Sequence, residues 1–186
     1  MRIALDIDST LHHYWDQLAG VAQRRYGVAL PYEHQHTWAI TELAADDLAA
    51  CVAETHEPER VLAAEPYPGA VETVACWHAA GHFVHVTSHR TTAAHEATAR
   101  WLKGIGLPYD DLHCSYDKVA RCVELEIDVL IDDSPVNLVR ARAAGILPAT
   151  LRHPWNSELC DREGILCAGD WRELATLLDP VLERAA

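Results

Sequence analysis

Short runs of Val, Ile and Leu alternate along the chain with segments of helical period, and no other feature restricts the fold as much. The apolar runs lie at 2–7, 82–87, 112–115, 128–131 and 146–151. Runs of this length without alternation suit strands buried on both faces. Leu11, Trp15, Leu18 and Ala22 share one helical face, and Gly27 can stop that helix. Pro68 opens a second helix, Val71, Val74, Ala75 and His78 line it, and Gly81 closes it. Further helices are expected from Thr91 to Lys103, with Gly104 near its end, and from an Asp117 cap to about Glu126. Ser134-Pro135 opens another that ends at Gly145, and Asp170 with Glu173 forms a capping box for the last. Strands that alternate with helices predict an α/β fold, a Rossmann-like doubly wound parallel sheet.

The stretch from about Pro31 to Glu65 is polar, Ala-rich and helical, with no clear strand. Residues 11–65 are therefore expected to form a small helical cap inserted after the first strand, and 1–10 with 66–186 the α/β core. A chain of 186 residues suits one domain with a modest insertion, and 49% hydrophobic residues can fill its core.

Four polar clusters stand where the expected strands end. They are Asp6-Ile7-Asp8-Ser9-Thr10, Thr87-Ser88-His89-Arg90, Lys118 at a helix start, and Asp132-Asp133-Ser134. In parallel sheets, ligands bind beyond the carboxyl ends of the strands, so neighbouring strands would bring these clusters to one edge. Carboxylates that converge raise one another's pKa unless a cation lies between them. Their hard oxygens suit Mg²⁺, which keeps several waters and accepts a phosphate oxygen. Asp6 and Asp8 would point the same way on a continuing strand, and a turn would separate them. Two such acids suit covalent phosphoryl transfer, one attacking and the other moving a proton. Each cluster alone has a plain structural reading: solvated strand ends, helix caps, or a surface lysine. The four together in this order are far more specific.

Net charge narrows the partners. The formal charge is −13, which repels nucleic acid polymers and offers an anionic substrate no long-range attraction. A metal and a few local cations must supply the positive charge. No apolar run is long enough to span a membrane, and the start, MRIALDIDST, does not read as a secretion signal. The expected location is cytoplasmic. The six cysteines include no CxxC pair, which disfavours a zinc knuckle or disulfide framework.

The four clusters resemble the motifs of the haloacid dehalogenase (HAD) superfamily of phosphatases. Asp6-Ile7-Asp8-Ser9-Thr10 is similar to its first motif, DxDx(T/V), and Val84-His85-Val86-Thr87-Ser88 to its second. Lys118 matches the third and Leu130-Ile131-Asp132-Asp133 the fourth. Arg25-Tyr26-Gly27-Val28, Leu30-Pro31, Pro66 to Glu72, Ile131 to Pro135 and His153-Pro154-Trp155-Asn156 look like its 5′(3′)-deoxyribonucleotidase-like, cytosolic type C branch. The resemblance implies that Asp6 attacks phosphorus, that Asp8 protonates the leaving alkoxide and then activates water, and that Lys118 neutralises charge. It implies that Thr87 and Ser88 hold phosphate oxygens. It also implies Mg²⁺ on Asp6, the Asp8 carbonyl and the fourth motif, with Asp133 favoured over Asp132 and Asn137 at a position often occupied by Asp. The implied enzyme is a Mg²⁺-dependent phosphomonoester hydrolase with an aspartyl-phosphate intermediate, nucleotidase-like.

The substrate is less sharply marked. Tyr14, Trp15 and Trp38 can stack on a base or form the core of the cap, and Trp155 shares that ambiguity. His89 and Arg90 can bind a second phosphate or a carboxylate, or simply start a helix. The twelve histidines match no familiar metal-ligand spacing. The expected partner is a small phosphomonoester, foremost a nucleotide, with homodimer formation left open and neither nucleic acid polymer nor membrane involved. The alternatives are a phosphatase for another small metabolite, such as a sugar phosphate, and a nucleotide- or phosphate-binding protein without turnover.

Overall fold

The structure, a computed structural model, describes residues 1–115 and 117–183. Six strands form one sheet: β1 Arg2–Leu5, β2 Phe83–Ser88, β3 Asp111–Cys114, β4 Val129–Ile131, β5 Leu147–Leu151 and β6 Leu166–Ala168. All pairings are parallel, in the order β3-β2-β1-β4-β5-β6. The Rossmann-like doubly wound sheet is thus present.

Side-chain alternation assigns each face its helices. Ile3, Leu5, Val84, Val86, Val129 and Ile131 point to one face and pack on α4 (Ala70–Ala79), α5 (His95–Ile105) and α9 (Trp171–Glu183). Ala4 and Leu130 point to the other and meet α6 (Lys118–Glu124) and α7 (Pro135–Ala143). Both faces are covered, so the strand sequences are near-continuous apolar runs.

The connection between β1 and α4 carries α1 (Tyr14–Tyr26), a 3₁₀ turn at Tyr32–His34, α2 (Ala45–Thr55) and α3 (Pro58–Leu62). Gly27 closes α1 in the left-handed region, at φ 67°, as its position suggested. Trp15, Leu18, Val21, Ala22, Leu30, Leu43 and Cys51 form a separate apolar cluster, joined by Trp155 from beyond β5. Val61 and Ala64, by contrast, belong to the main core, and the Ala64 carbonyl accepts from Trp101 Nε1. The end of the helical segment therefore packs with the sheet domain rather than with α1 and α2.

Several boundaries differ from the sequence reading. β1 stops at Leu5 instead of Ile7, because the backbone turns there: Thr10, Leu11 and His12 all donate to the Ile7 carbonyl. Residues 35–44 are loop, and Gly106 rather than Gly104 ends α5. Asp117 precedes α6 but its carboxylate accepts from Arg140 instead of capping the helix. β6 and α8 (Ser157–Glu163) were not expected; each is too short to show a period. Among the described residues, no helix is long and apolar enough to cross a membrane.

Candidate active site

The chain runs in opposite directions across the sheet from β1, to β2 on one side and β4 on the other. This switch point is where parallel sheets open a crevice. Asp6 follows β1 directly, and its amide donates to the Ile131 carbonyl at 2.8 Å, so the ends of β1 and β4 are tied. Asp132 and Asp133 follow β4, Thr87 and Ser88 end β2, and Lys118 starts α6 after β3. All four clusters meet at one edge.

Lys118 is the hub. Its ammonium is buried and lies 2.7 Å from Asp6 Oδ1 and 2.8 Å from Asp132 Oδ2. Asp132 is fully committed: Oδ1 also accepts from the Ser134 amide, and Asn137 Nδ2 donates to both oxygens at 3.1 Å. Asp133 is positioned by its backbone, whose carbonyl accepts from Trp155 Nε1 and Asn156 Nδ2. Asp6, Asp132 and Asp133 each offer an oxygen, all within 4.8 Å of one another, and among the described residues no histidine joins them.

Burial raises the Asp6 carboxyl to about 7; Lys118 opposes this, and Asp132 and Asp8 reinforce it. Burial likewise pushes Asp133 well above the usual carboxylate range, with Asp6 and Asp132 adding repulsion. Lys118, which burial alone would lower, is held up by Asp132 and Asp6 and stays charged.

Asp8 lies in different surroundings. The turn that begins at Ile7, whose carbonyl accepts from the Thr10, Leu11 and His12 amides, separates it from Asp6, and Ser9 just after it adopts φ 59°. Arg90 Nη2 approaches Asp8 Oδ1 at 2.6 Å and Arg90 Nε approaches Oδ2 at 3.3 Å. His12 Nε2 is 3.0 Å from Oδ1 and His56 Nε2 3.5 Å from Oδ2. Burial would raise Asp8, but Arg90 and the two histidines outweigh it and hold the carboxyl well below its usual range.

If all four carboxylates are ionised, two fixed cations leave two negative charges uncovered. That deficit, and the raised Asp6 and Asp133, suit one divalent ion with hard oxygen ligands. The donor set fits Mg²⁺. Asp133 has oxygens available for it, whereas Asp132 has its own occupied.

A cavity of about 280 Å³ opens over this floor. Asp6, Asp8, Lys118 and Asp133 line its base, His89 one side, and Tyr14, Trp38, Val52 and His56 come from the helical segment. Trp38 is 47% exposed at the mouth. Trp15 is not at the cavity; it packs on Trp155 and donates to the Leu30 carbonyl, so it is core of the helical segment. Arg90 is 1% exposed, with its guanidinium on Asp8 and Thr98, so it does not face a ligand as the sequence had suggested. Thr87 Oγ1 is buried and, among the described residues, has no hydrogen-bond partner, and Ser88 Oγ accepts from the Arg90 amide. A larger cavity of about 470 Å³ is lined by Tyr67, Arg152, Asp170 and Trp171, among others, and its described lining includes none of the four site carboxylates.

Sequence reasoning missed His12 and His56 as partners of Asp8. The i,i+4 spacing of Asp8 and His12 was a usable signal; His56 stands too far along the chain to give one.

Solved structures share this fold. A HAD family hydrolase from Deinococcus radiodurans R1, with bound phosphate and sodium, aligns over 97% of this chain and 96% of its own at TM-score 0.69 and 20% identity. A HAD hydrolase, family IA, variant 3, from Entamoeba histolytica covers 96% and 99% at TM-score 0.67 and 12% identity. D,D-heptose 1.7-bisphosphate phosphatase from B. bronchiseptica, complexed with magnesium and phosphate, covers 98% of each chain at TM-score 0.55 and 16% identity. At these identities the likeness speaks for the fold. No curated protein matches the sequence. The family model described as 5′ nucleotidase, deoxy (Pyrimidine), cytosolic type C protein matches residues 1–185, and the chain belongs to that family, as a phosphomonoester hydrolase of the HAD superfamily.

Proposed function

We propose that this chain is a cytoplasmic, Mg²⁺-dependent 5′-nucleotidase-like enzyme that works through a phosphoryl group on Asp6. The observation that carries the reading is the convergence of Asp6, Lys118 and Asp133, with Lys118 at 2.7 Å from the Asp6 carboxylate and the acids within 4.8 Å. Asp6, the Asp8 carbonyl and Asp133 would hold the ion, which supplies positive charge for the transferring phosphoryl group.

The Asp6 oxygen not held by Lys118 attacks phosphorus, and the bond to the leaving oxygen breaks. Asp8 gives that oxygen a proton. Water then attacks the aspartyl-phosphate, Asp8 takes up its proton, and inorganic phosphate leaves with Asp6 restored. Lys118 offsets charge on Asp6 and on the transferring group. Thr87 Oγ1 and the Ser88 backbone are assigned to phosphate oxygens; that Thr87 Oγ1 has no hydrogen-bond partner among the described residues supports this. Arg90 keeps Asp8 ionised at rest, and a phosphate dianion arriving beside it raises its affinity for a proton. Asp8 therefore loads its proton as substrate binds.

Residues 11–65 are read as a cap over 1–10 and 66–186, with Tyr14, Trp38, Val52 and His56 enclosing the leaving group. An aromatic wall favours a nucleoside. Lys118 and Arg90 are both engaged by carboxylates, which disfavours a second phosphate on the substrate. A panel of nucleoside monophosphates and sugar phosphates with Mg²⁺ tests this. Faster turnover of nucleotides is expected; equal or faster turnover of sugar phosphates rejects the nucleotide assignment.

A further inference from the structure

The segment that leaves β5 touches both acid-bearing loops and the helical segment at once. His153 Nε2 lies 2.7 Å from the Ser9 carbonyl oxygen, and the Tyr32 hydroxyl lies 2.7 Å from His153 Nδ1. A carbonyl can only accept, so Nε2 carries the ring proton, Nδ1 is bare, and Tyr32 donates to it. The relay has a single polarity, from Tyr32 through His153 to Ser9. Burial lowers His153 to about 4, which keeps the ring neutral and both bonds intact. The ring cannot easily turn. It stacks on Trp155 at 4.6 Å with planes 1° apart, and the His153 amide donates to Asn156 Oδ1.

What the relay grips is Ser9, a buried non-glycine residue at φ 59°. Such a conformation persists only where the surroundings over-determine it. The backbone that aims the Ser9 carbonyl at His153 also aims the neighbouring Asp8. At the other end, Tyr32 belongs to the helical segment, and Trp155 touches Trp15, Tyr32 and Trp38 there. Trp155 and Asn156 hold the Asp133 carbonyl from the same strut.

We propose that His153 is a positioning residue that couples the seating of the helical segment, through Tyr32, to the placement of Asp8. The proposal rests on Asp8 as the proton donor to the leaving group. A misplaced donor slows phosphoryl transfer from esters whose alkoxide needs a proton and spares that from p-nitrophenyl phosphate, whose phenolate leaves without one; the later hydrolysis of Asp6-phosphate, common to both esters, does not enter kcat/KM.

The test compares glycerol phosphate with p-nitrophenyl phosphate in wild type, Tyr32→Phe, His153→Leu, His153→Gln and Asp8→Asn. Glutamine can donate to Ser9 and accept from Tyr32 as the neutral ring does, whereas leucine can do neither. Tyr32→Phe keeps the ring packing, so it decides the case if His153→Leu fails to fold. Tyr32→Phe and His153→Leu are expected to lower kcat/KM on glycerol phosphate about 10-fold, against less than about 3-fold on p-nitrophenyl phosphate. His153→Gln is expected to restore most of the loss. Equal losses on both esters, a glutamine variant no better than leucine, or a Tyr32→Phe enzyme like wild type would overturn the relay. If Asp8→Asn itself fails to discriminate between the esters, the acid role of Asp8 falls and the relay with it. If Asp8→Asn discriminates and Tyr32→Phe does not, only the relay falls.

Discussion

Two carboxylates two residues apart, Asp6 buried and Asp8 partly buried, meet opposite electrostatic surroundings. Asp6 shares one lysine with Asp132 and stands near Asp133, so negative charge exceeds positive and burial lifts it to about 7. Asp8 faces its own arginine and two histidines, and is held ionised. The turn that begins at Ile7 makes the difference, since the second carboxylate then meets Arg90 beyond β2 and His56 of the helical segment. An acid cluster short of cations is a place for a metal. An acid matched by its own cation is a place for controlled protonation. The two roles assigned above follow from that contrast.

The contrast can be broken most severely at its nucleophile. Asp6→Asn is expected to lower kcat on any phosphomonoester by at least about 10⁴-fold, read by phosphate release. Lys118→Met removes the hub cation, leaving Asp6 and Asp132 uncompensated. A loss of about 3–5 kcal/mol in denaturant unfolding is expected, with turnover nearly abolished. Wild-type-like unfolding of that variant would remove the hub from the account.

Proton linkage sharpens the same comparison. In metal-free protein the folded Asp6 carboxyl keeps its proton up to about 7, against 3.8 for the ordinary group. Folding takes up a proton between those values, so the Asp6 contribution is full below 3.8 and is lost as pH rises to about 7. Mg²⁺ is expected to remove this dependence by holding Asp6 ionised, and thermal melts across that range with and without the ion measure it. His153 runs the other way. The unfolded ring gains a proton near 6.5 and the folded ring only near 4, so its contribution is full above 6.5 and falls as pH drops to about 4. His153→Gln is expected to abolish a loss of up to about 3 kcal/mol over that window.

Mg²⁺ at a hundred times its Kd should stabilise the wild type by about 2.7 kcal/mol. Asp133→Asn is expected to lose that shift, while Trp38→Ala, at the cavity mouth, should keep it and alter only KM.

Much of the fold was legible because strands buried on both faces leave unbroken apolar runs, as in Val129-Leu130-Ile131. β6 escaped because three residues, two of them Cys and Ala, carry no such signal. Asp6, Lys118, Asp132 and Asp133 were legible because strand ends in a parallel sheet must share an edge. Arg90 pointed to a ligand in sequence, yet its pairing with Asp8 depends on a turn whose left-handed residue is a serine, not a glycine that would have marked it. Trp15 and Trp38 looked alike in sequence; one is buried against Trp155 and the other half-exposed at the cavity, a difference set by the 35–44 loop.

The most direct measurement is mass spectrometry of enzyme quenched in acid during turnover of a nucleoside monophosphate with Mg²⁺. A phosphoryl adduct on the peptide containing Asp6, absent in Asp6→Asn, is the expected result. Steady hydrolysis with no adduct there, or with the adduct on another residue, would contradict Asp6 as the group that receives the phosphoryl.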